Sequence, residues 1–497
     1  MENNGQKIVS SLFWSYSERL FTQIVSLIVS IILARLLSPE NYGVISIVMI
    51  FITLCDAIVD GGLGDALIQK QDADTLDINT MFFCSVGISL TLYTALFFSA
   101  PYIASFYQTE LICPLLRVLG LRLLISGVNT IQRAWIQKQM LFRKFFIASS
   151  FGTILSAAAG IILAYLGAGP WALVAQYLTN SFVDTAILFF TNNWRPKLIF
   201  SFTRAKALLS YGCKVLMTTI VATLEQNLRS LIIGKQFGSS SLAYYDQGQR
   251  FPNLLVTNVN GTITNVMFPV LAQNQDDPVR FKLLFRRAIQ IGTYLLTPLL
   301  IGLIAVADTF VCGILSEKWA PCIPYLRILT LMYLARPFTA ICAQAILSVG
   351  YSGKNLKIMT IINTFSVVML LYTVFVLKSV LGIAYCALAT ECVSFLLYSF
   401  YGKKLLCYSF REQCQDLLPS ILLSGIMGIL TYLIHFLPAH DLLTMILQIF
   451  FGCLFYLAAS WLLQPEPYVY LIQMIGKKIQ SEKMQNVLSK MVRRDVR

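Results

Sequence analysis

The chain has 497 residues, of which 57% are hydrophobic and 12% charged, and its formal net charge is +14. Soluble domains carry about 25% charged residues, so half that share over this length excludes an ordinary soluble enzyme, and the hydrophobicity excludes a disordered chain. A soluble nucleic-acid-binding domain could not carry so much apolar surface, which leaves a polytopic membrane protein whose basic residues gather outside an apolar bulk.

A membrane helix needs roughly 20 mostly apolar residues. The apolar runs predict fourteen spans, near 9–33, 43–68, 79–107, 111–131, 145–165, 170–190, 208–232, 242–272, 288–308, 323–347, 358–377, 380–400, 417–437 and 441–463. Pro, Gly, Asn and charge mark the breaks, as in LLSPENYG, GAGPWA and FLPAHD. Long runs such as QIVSLIVSIIL do not alternate as the strands of a β-barrel would, and lipid-facing backbone must bond to itself. The fold expected is an all-α bundle. Taking the N-terminus and every second loop as one side gives that side 26 Lys and Arg; the other has only Arg35, Lys235, Lys318 and Lys378. By the positive-inside rule both termini are cytoplasmic. No cleavage-site pattern follows the first apolar run, so that run is expected to remain as an anchor.

A diverged duplication runs through the chain. CPLLRVLGL at 113–121 matches IPYLRILTL at 323–331 and superposes Arg117 on Arg327. ILARLLSPENYG resembles IIGKQFGSSSLAYY, and QKQDAD at 69–74 resembles QNQDDP at 273–278. Each half holds six spans, an even number, so the halves share one orientation and form parallel repeats. The expected organisation is an N-lobe over 1–200, a C-lobe over 201–405, two extra helices over 406–463 and a basic tail over 464–497.

Polar groups are costly in hydrocarbon, so a polar stripe marks a face turned to protein or water. Span 1 carries Ser15, Arg19, Thr22, Ser26 and Ser30 on one helical face, and span 2 carries Thr53, Asp56, Asp60 and Gly64. Span 7 carries Thr218, Glu225 and Arg229; span 8 carries Arg250, Asn253, Thr257, Asn260 or Gly261, and Thr264. The duplication relates spans 1 and 2 to spans 7 and 8, so a polar cavity between the lobes is expected. Glu225 and Arg229, four residues apart, can pair, either as a structural couple or as part of that cavity. Asp56 and Asp60, one turn apart, suit a proton or sodium site, and helix–helix hydrogen bonding suits them equally. Arg122, Asn129 and Arg133 share a face of span 4, while Arg117 and Arg327 read as interface anchors.

The 12 Cys are scattered with no C-x-x-C pair and read as small apolar residues. His435 and His440 flank the last external loop and read as solvated; no metal site is expected. GGLGD at 61–65 lacks the Lys-Ser/Thr of a phosphate loop, and no catalytic constellation emerges. The tail from PEP to KMVRRDVR reads as a basic amphipathic segment drawn to anionic lipid, with no role for nucleic acid.

Several motifs together resemble the polysaccharide transporter family of the multidrug/oligosaccharidyl-lipid/polysaccharide exporter superfamily. They are ARLLSPENYG, GLGDALIQKQD, LLRVLGL, IQRAWIQK, WALVAQ, WRPKLIFSF, YYDQGQRFPNL, FPVLAQNQDD and EKWAPCIPYLRIL. The nearest branch is that of the O-antigen, colanic-acid and teichuronic-acid exporters. The resemblance implies a flippase of the cytoplasmic membrane that moves undecaprenyl-pyrophosphate-linked oligosaccharide for lipopolysaccharide, capsule or exopolysaccharide synthesis. It implies coupling to a proton or sodium gradient with no other cofactor, and work beside polymerase and chain-length machinery. A pyrophosphate needs a partner in a low-dielectric cavity, and arginine matches phosphate geometry. Arg19, Arg229 and Arg250, with Glu225, Asn253 and Thr257 beside them, are the candidates from helical phase, and Asp56 and Asp60 are the ion-coupling candidates. The alternatives are a multidrug or organic-cation antiporter of the same superfamily and a membrane polysaccharide polymerase or ligase. The first would favour an acidic cavity and usually stops at twelve spans; the second lacks a sizeable external loop here.

Overall fold

The computed structural model describes residues 2–60, 62–70, 72–192, 194–436 and 440–478. The end of the tail, including KMVRRDVR, lies outside the described residues. Among the described residues there are helices and turns and no strand, the outcome expected where lipid offers backbone groups no partner. In chain order the helices are α1 (Glu2–Leu36), α2 (Pro39–Gln69), α3 (Thr75–Tyr107), α4 (Ile112–Lys138), α5 (Phe142–Tyr165) and α6 (Trp171–Thr191). One long helix, Phe202–Gln273, is interrupted at Gly238, whose φ of 84° only glycine adopts freely, giving α7 (202–237) and α8 (239–273). There follow α9 (Pro278–Ala305), α10 (Glu317–Ser348), α11 (Ser352–Leu377), α12 (Val380–Leu406), α13 (Phe410–Phe436), α14 (Asp441–Leu463) and α15 (Glu466–Lys478). Thirteen helical segments among the described residues are long and apolar enough to cross a membrane, and one of them, Leu216–Gln273, takes in part of α7 and all of α8. Each of the fourteen expected spans therefore falls on helix over most of its described length.

The chain divides into two compact units, residues 1–243 and 244–497. In the first, α5 packs along α6 and α1, and α4 along α3 and α6. Leu67, Met81, Ile131, Trp194 and Leu208 form one of its cores. Asp77 in the first turn of α3 is fully buried and receives Lys70 Nζ at 2.6 Å and Arg204 Nη1 at 3.0 Å. Asp74 caps the same helix, accepting from the backbone N–H of Asp77 at 2.9 Å, and it pairs with Arg204 at 2.6 Å. These contacts fasten the start of α7 to α3. Lower in α7 the backbones of Gly62 and Gly212 meet directly. A Cβ on Gly62 would lie 2.3 Å from the Gly212 carbonyl oxygen, and Gly62 itself has φ +94°.

In the second unit α9 packs on α13, α10 on α12 and α13 on α14. Phe281, Phe285, Ile289, Phe338, Tyr408 and Leu417 belong to its main core. Two repeated motifs do matching work. QKQDAD and QNQDDP each contain or end in an aspartate that caps the third helix of its half, Asp74 on α3 and Asp277 on α9, the latter accepting from Val279 and Arg280 N–H at 3.1 Å. Arg117 of α4 donates to the Phe97 carbonyl of α3 at 3.3 Å, with its guanidinium 4.3 Å from the Phe97 ring. Its counterpart Arg327 of α10 pairs with Asp308 just beyond α9. Each arginine ties its helix back to the preceding helix or to the turn just beyond it.

Candidate functional site

Charged side chains inside apolar helices are the first place to look for function, because each must find a partner or water. In the first unit they converge on α2, α4 and α6. A polar cavity of about 280 Å³ is lined by Asp56 and Asp60 of α2, Arg122, Ser126, Asn129, Thr130 and Arg133 of α4, and Asn180 of α6, among others. Arg122 Nη2 lies 3.5 Å from Asp56 Oδ2, and Thr130 donates to Asp60 Oδ1. Behind the cavity, Asp184 of α6 is buried, with 6% of its side chain exposed, and accepts from Arg133 Nη2 at 2.6 Å and Asn129 Nδ2 at 3.0 Å.

The arrangement follows from helical phase. Asp56 and Asp60 are four apart on α2, while Arg122, Asn129 and Arg133 descend one face of α4 and meet them. Asp65 also lines the cavity, so with Asp184 four aspartates face two arginines and the cluster carries a formal negative excess. The Oδ1 oxygens of Asp56, Asn129 and Asp184 are buried and have no hydrogen-bond partner among the described residues. Oxygen donors around a negative charge suit a proton or a hard cation rather than a soft metal. Asp60 makes a helix–helix hydrogen bond, to Thr130, and Asp56 an ion pair with Arg122, and these contacts leave acceptor capacity over.

The second unit has its own intramembrane cluster on α8, α10 and α12. Glu391 is buried and receives Thr339 Oγ1 at 3.1 Å and lies 3.3 Å from Arg336 Nε. Nearby, Tyr333 accepts from Gln249 Nε2 at 3.2 Å and donates to Asn253 Oδ1 at 3.3 Å. A further network holds the N-terminal half of α9. Asp416 accepts from Arg286 at 2.7 and 2.8 Å, Gln290 at 2.8 Å and Tyr408 at 2.8 Å.

The residues expected from sequence are distributed as follows. Asp56 and Asp60 come together with the α4 face. Arg19 is exposed on α1, and Thr22 of its stripe turns its hydroxyl back to the Glu18 carbonyl at 2.7 Å. Glu225 is exposed and Arg229 half-buried on α7; with Arg19 they belong to the first unit and line no part of the 280 Å³ cavity. In the second unit Arg250 is half-buried, while Asn253 and Thr257 are exposed, with the Thr257 hydroxyl bonded to the Asn253 carbonyl at 2.8 Å. The side chain of Thr264 lies outside the described residues. His440 Nδ1 caps α14, accepting from Leu442 N–H at 3.3 Å, and His435 stacks on Tyr432. Sequence reasoning passed over Asp184, Arg336, Glu391 and the Arg286–Asp416 pair. The signal available for the first three was a lone ionisable residue in an apolar run, as in SFVDTAILFF and CALATECV.

Residues 32–324 match the family described as polysaccharide biosynthesis protein. The chain is 24% identical over 446 residues to the teichuronic acid biosynthesis protein TuaB of Bacillus subtilis, covering 87% of this chain and 90% of that one. It is 25% identical over 333 residues to the lipopolysaccharide biosynthesis protein WzxC of Escherichia coli, covering 67% and 68%. It is also 25% identical over 328 residues to the succinoglycan biosynthesis transport protein ExoT of Rhizobium meliloti, covering 66% of each chain. Among solved structures the lipid II flippase MurJ, in its inward closed conformation, superposes with a TM-score of 0.74 at 17% identity over 91% of this chain and 98% of that one. An inward-facing multidrug resistance MATE transporter of the MOP superfamily superposes with a TM-score of 0.58 at 17% identity, covering 78% of this chain and 94% of that one. These two share the fold. The family match runs from the end of α1 into α10 and takes in more than half of the chain, so this multi-pass, all-helical chain belongs to the polysaccharide biosynthesis protein family.

Proposed function

We propose that the chain is a flippase that carries undecaprenyl-pyrophosphate-linked oligosaccharide repeat units from the cytoplasmic to the outer leaflet of the cytoplasmic membrane, without chemical change to its cargo. The observation that carries this reading is relatedness over 87% of the chain to a teichuronic acid biosynthesis protein, together with relatedness to a succinoglycan transport protein. A fold shared with a lipid II flippase over nearly the whole chain supports it. The charge distribution of the loops supports cytoplasmic termini.

Within this reading Arg19 and Arg229, and separately Arg250, are assigned as partners of the anionic headgroup, because they stand in apolar helices with some exposure and guanidinium geometry matches phosphate. Asn253, Thr257 and Glu225 lie on the same helices as candidate contacts to sugar hydroxyls. The coupling ion, a proton or sodium, is assigned to Asp56 and Asp60, whose cluster holds a negative excess and buried oxygens without protein partners.

The experiment is translocation of a fluorescent undecaprenyl-pyrophosphate oligosaccharide in proteoliposomes, read by quenching from one side only. Protein-dependent movement with unchanged cargo is expected. In cells, loss of the chain is expected to leave lipid-linked units in the cytoplasmic leaflet. Accumulation on the outer face, or glycan polymer formed by the purified protein, would sink the flippase reading in favour of a polymerase or ligase. If Arg19→Ala and Arg250→Ala both export normally at normal protein levels, those arginines are structural.

A further inference from the structure

A second cavity, of about 690 Å³, lies in the second unit at the start of α9. Its walls combine apolar side chains, Val279, Leu283 and Leu405 among them, with Lys282, Arg286 and Arg287 of α9. Two of the three cations are neutralised inside the protein. Lys282 pairs with Glu412 at 2.7 Å, and Arg286 makes the two-pronged contact with Asp416. Among the described residues Arg287 pairs with no carboxylate; its guanidinium lies 4.8 Å from the Tyr470 ring of α15. The remaining carboxylate of the lining, Glu466, accepts from Gln290 Nε2 at 2.9 Å and stands in the first turn of α15, where the helix dipole favours it.

The wall that α15 supplies is fixed in place. Tyr468 and Val469 are buried in a core with Tyr294 of α9 and Tyr456 of α14, and Gln290 bridges Asp416 and Glu466. The cavity is therefore a built feature in which, among the described residues, Arg287 and Glu466 are the two charges without an oppositely charged partner. Of its lining residues Val279 is 80% exposed, and Pro278 and Leu283 are exposed beside it together with Gln275 and Cys407, so most of the open side is apolar.

We propose that this cavity binds the phosphodiester headgroup of an anionic membrane lipid, with Arg287 on the phosphate and the acyl chains along Val279 and Leu283. A single unneutralised cation matches a monoanion, and the nearby Glu466 disfavours a doubly charged phosphate. An apolar rim matches acyl chains and not a soluble anion. The site is separate from the cargo assignment, and lipid bound there would brace α15 against α9.

The test titrates the purified, delipidated full chain in detergent with short-chain phosphatidylglycerol, phosphatidylcholine and inorganic phosphate, following binding by thermophoresis. Phosphatidylglycerol is expected to bind more tightly than phosphatidylcholine. Arg287→Gln, which removes one charge-assisted contact, is expected to weaken phosphatidylglycerol binding about tenfold and leave phosphatidylcholine binding unchanged. Val279→Glu is the second variant; its exposed position and place in the first turn of a helix make it compatible with folding, and it is expected to weaken phosphatidylglycerol binding as well. Equal affinity for the two lipids, unchanged phosphatidylglycerol affinity in both variants, or equal binding of inorganic phosphate would each overturn the proposal.

Discussion

The Arg133–Asp184 pair makes an asymmetric prediction. Asp184 keeps 6% of its side chain exposed, whereas Arg133 keeps 50%. Arg133→Met removes the 2.6 Å charge-assisted bond and leaves a buried carboxylate with one neutral donor, Asn129. Breaking a buried pair from this side is expected to cost about 3 kcal/mol. Asp184→Asn removes the charge from the buried partner instead. The guanidinium left behind is half in solvent and rehydrates, so the loss is expected to be about 1 kcal/mol, close to that of a surface pair. The double variant is expected to be more stable than Arg133→Met alone, because it holds no stranded charge. Unfolding in mixed micelles, with helical ellipticity followed against the mole fraction of dodecyl sulfate, measures all three. Equal costs for the two single variants, or a larger cost for Asp184→Asn, would refute the claim that the buried anion sets the energetics of this cluster.

Other outcomes follow from the same geometry. Asp416→Ala strands a guanidinium, an amide and the buried Tyr408 hydroxyl at once, and is expected to cost about 4 kcal/mol in the same assay. Gly62→Ala is expected to cut the yield of folded protein sharply, since its Cβ would lie 2.3 Å from the Gly212 carbonyl at a positive φ; Gly212→Ala, at 2.9 Å and in helical backbone, is expected to be milder. Asp56→Asn is expected to abolish the pH or sodium dependence of translocation, and an unchanged dependence would remove Asp56 as a coupling group. The Asp77 backbone N–H, with Arg204 beside it, lowers the Asp74 carboxyl to about 2. A depressed folded pKa gives stability that is present above the unfolded value of about 3.9 and is lost as pH falls from there through about 2. An acid titration of wild type against Asp74→Asn, which keeps the cap but not the charge, is expected to show a larger loss over that range in wild type, the remainder in both coming from other depressed carboxylates such as Glu412.

Much of this architecture is legible in the sequence, for physical reasons that particular residues display. Hydrocarbon thickness fixes span length, so the apolar runs reveal nearly every helix, and the break read at GKQFGSSSLAYY falls where Gly238 bends the long helix. Phase within α2 and within α4 is also readable, placing Asp56 and Asp60 on one face and Arg122, Asn129 and Arg133 on another, but that the two faces meet in one cavity is seen only in the structure. Pairing across helices is not readable in that way. Asp184 meets Arg133 across 51 residues and Asp416 meets Arg286 across 130, and no periodicity in either helix announces its partner. A lone acid in an apolar run says that a partner exists without saying which one it is. The α15 cavity was less legible still, since it needs the ends of α9, α12 and α13 and the first turn of the tail together.

The fastening of α7 to α3 bears on how the molecule can be dissected. The sequence repeat ends before α7, but the compact unit runs on through residue 243. A fragment cut at the repeat boundary would lose Arg204 and Gly212. Asp77 would then keep only Lys70 among its two cations, and Gly62 would present bare backbone where a helix had covered it. Gene fusions, split reporters and half-transporter complementation should therefore be divided after α7, so that the first piece carries seven helices and the second begins at α8.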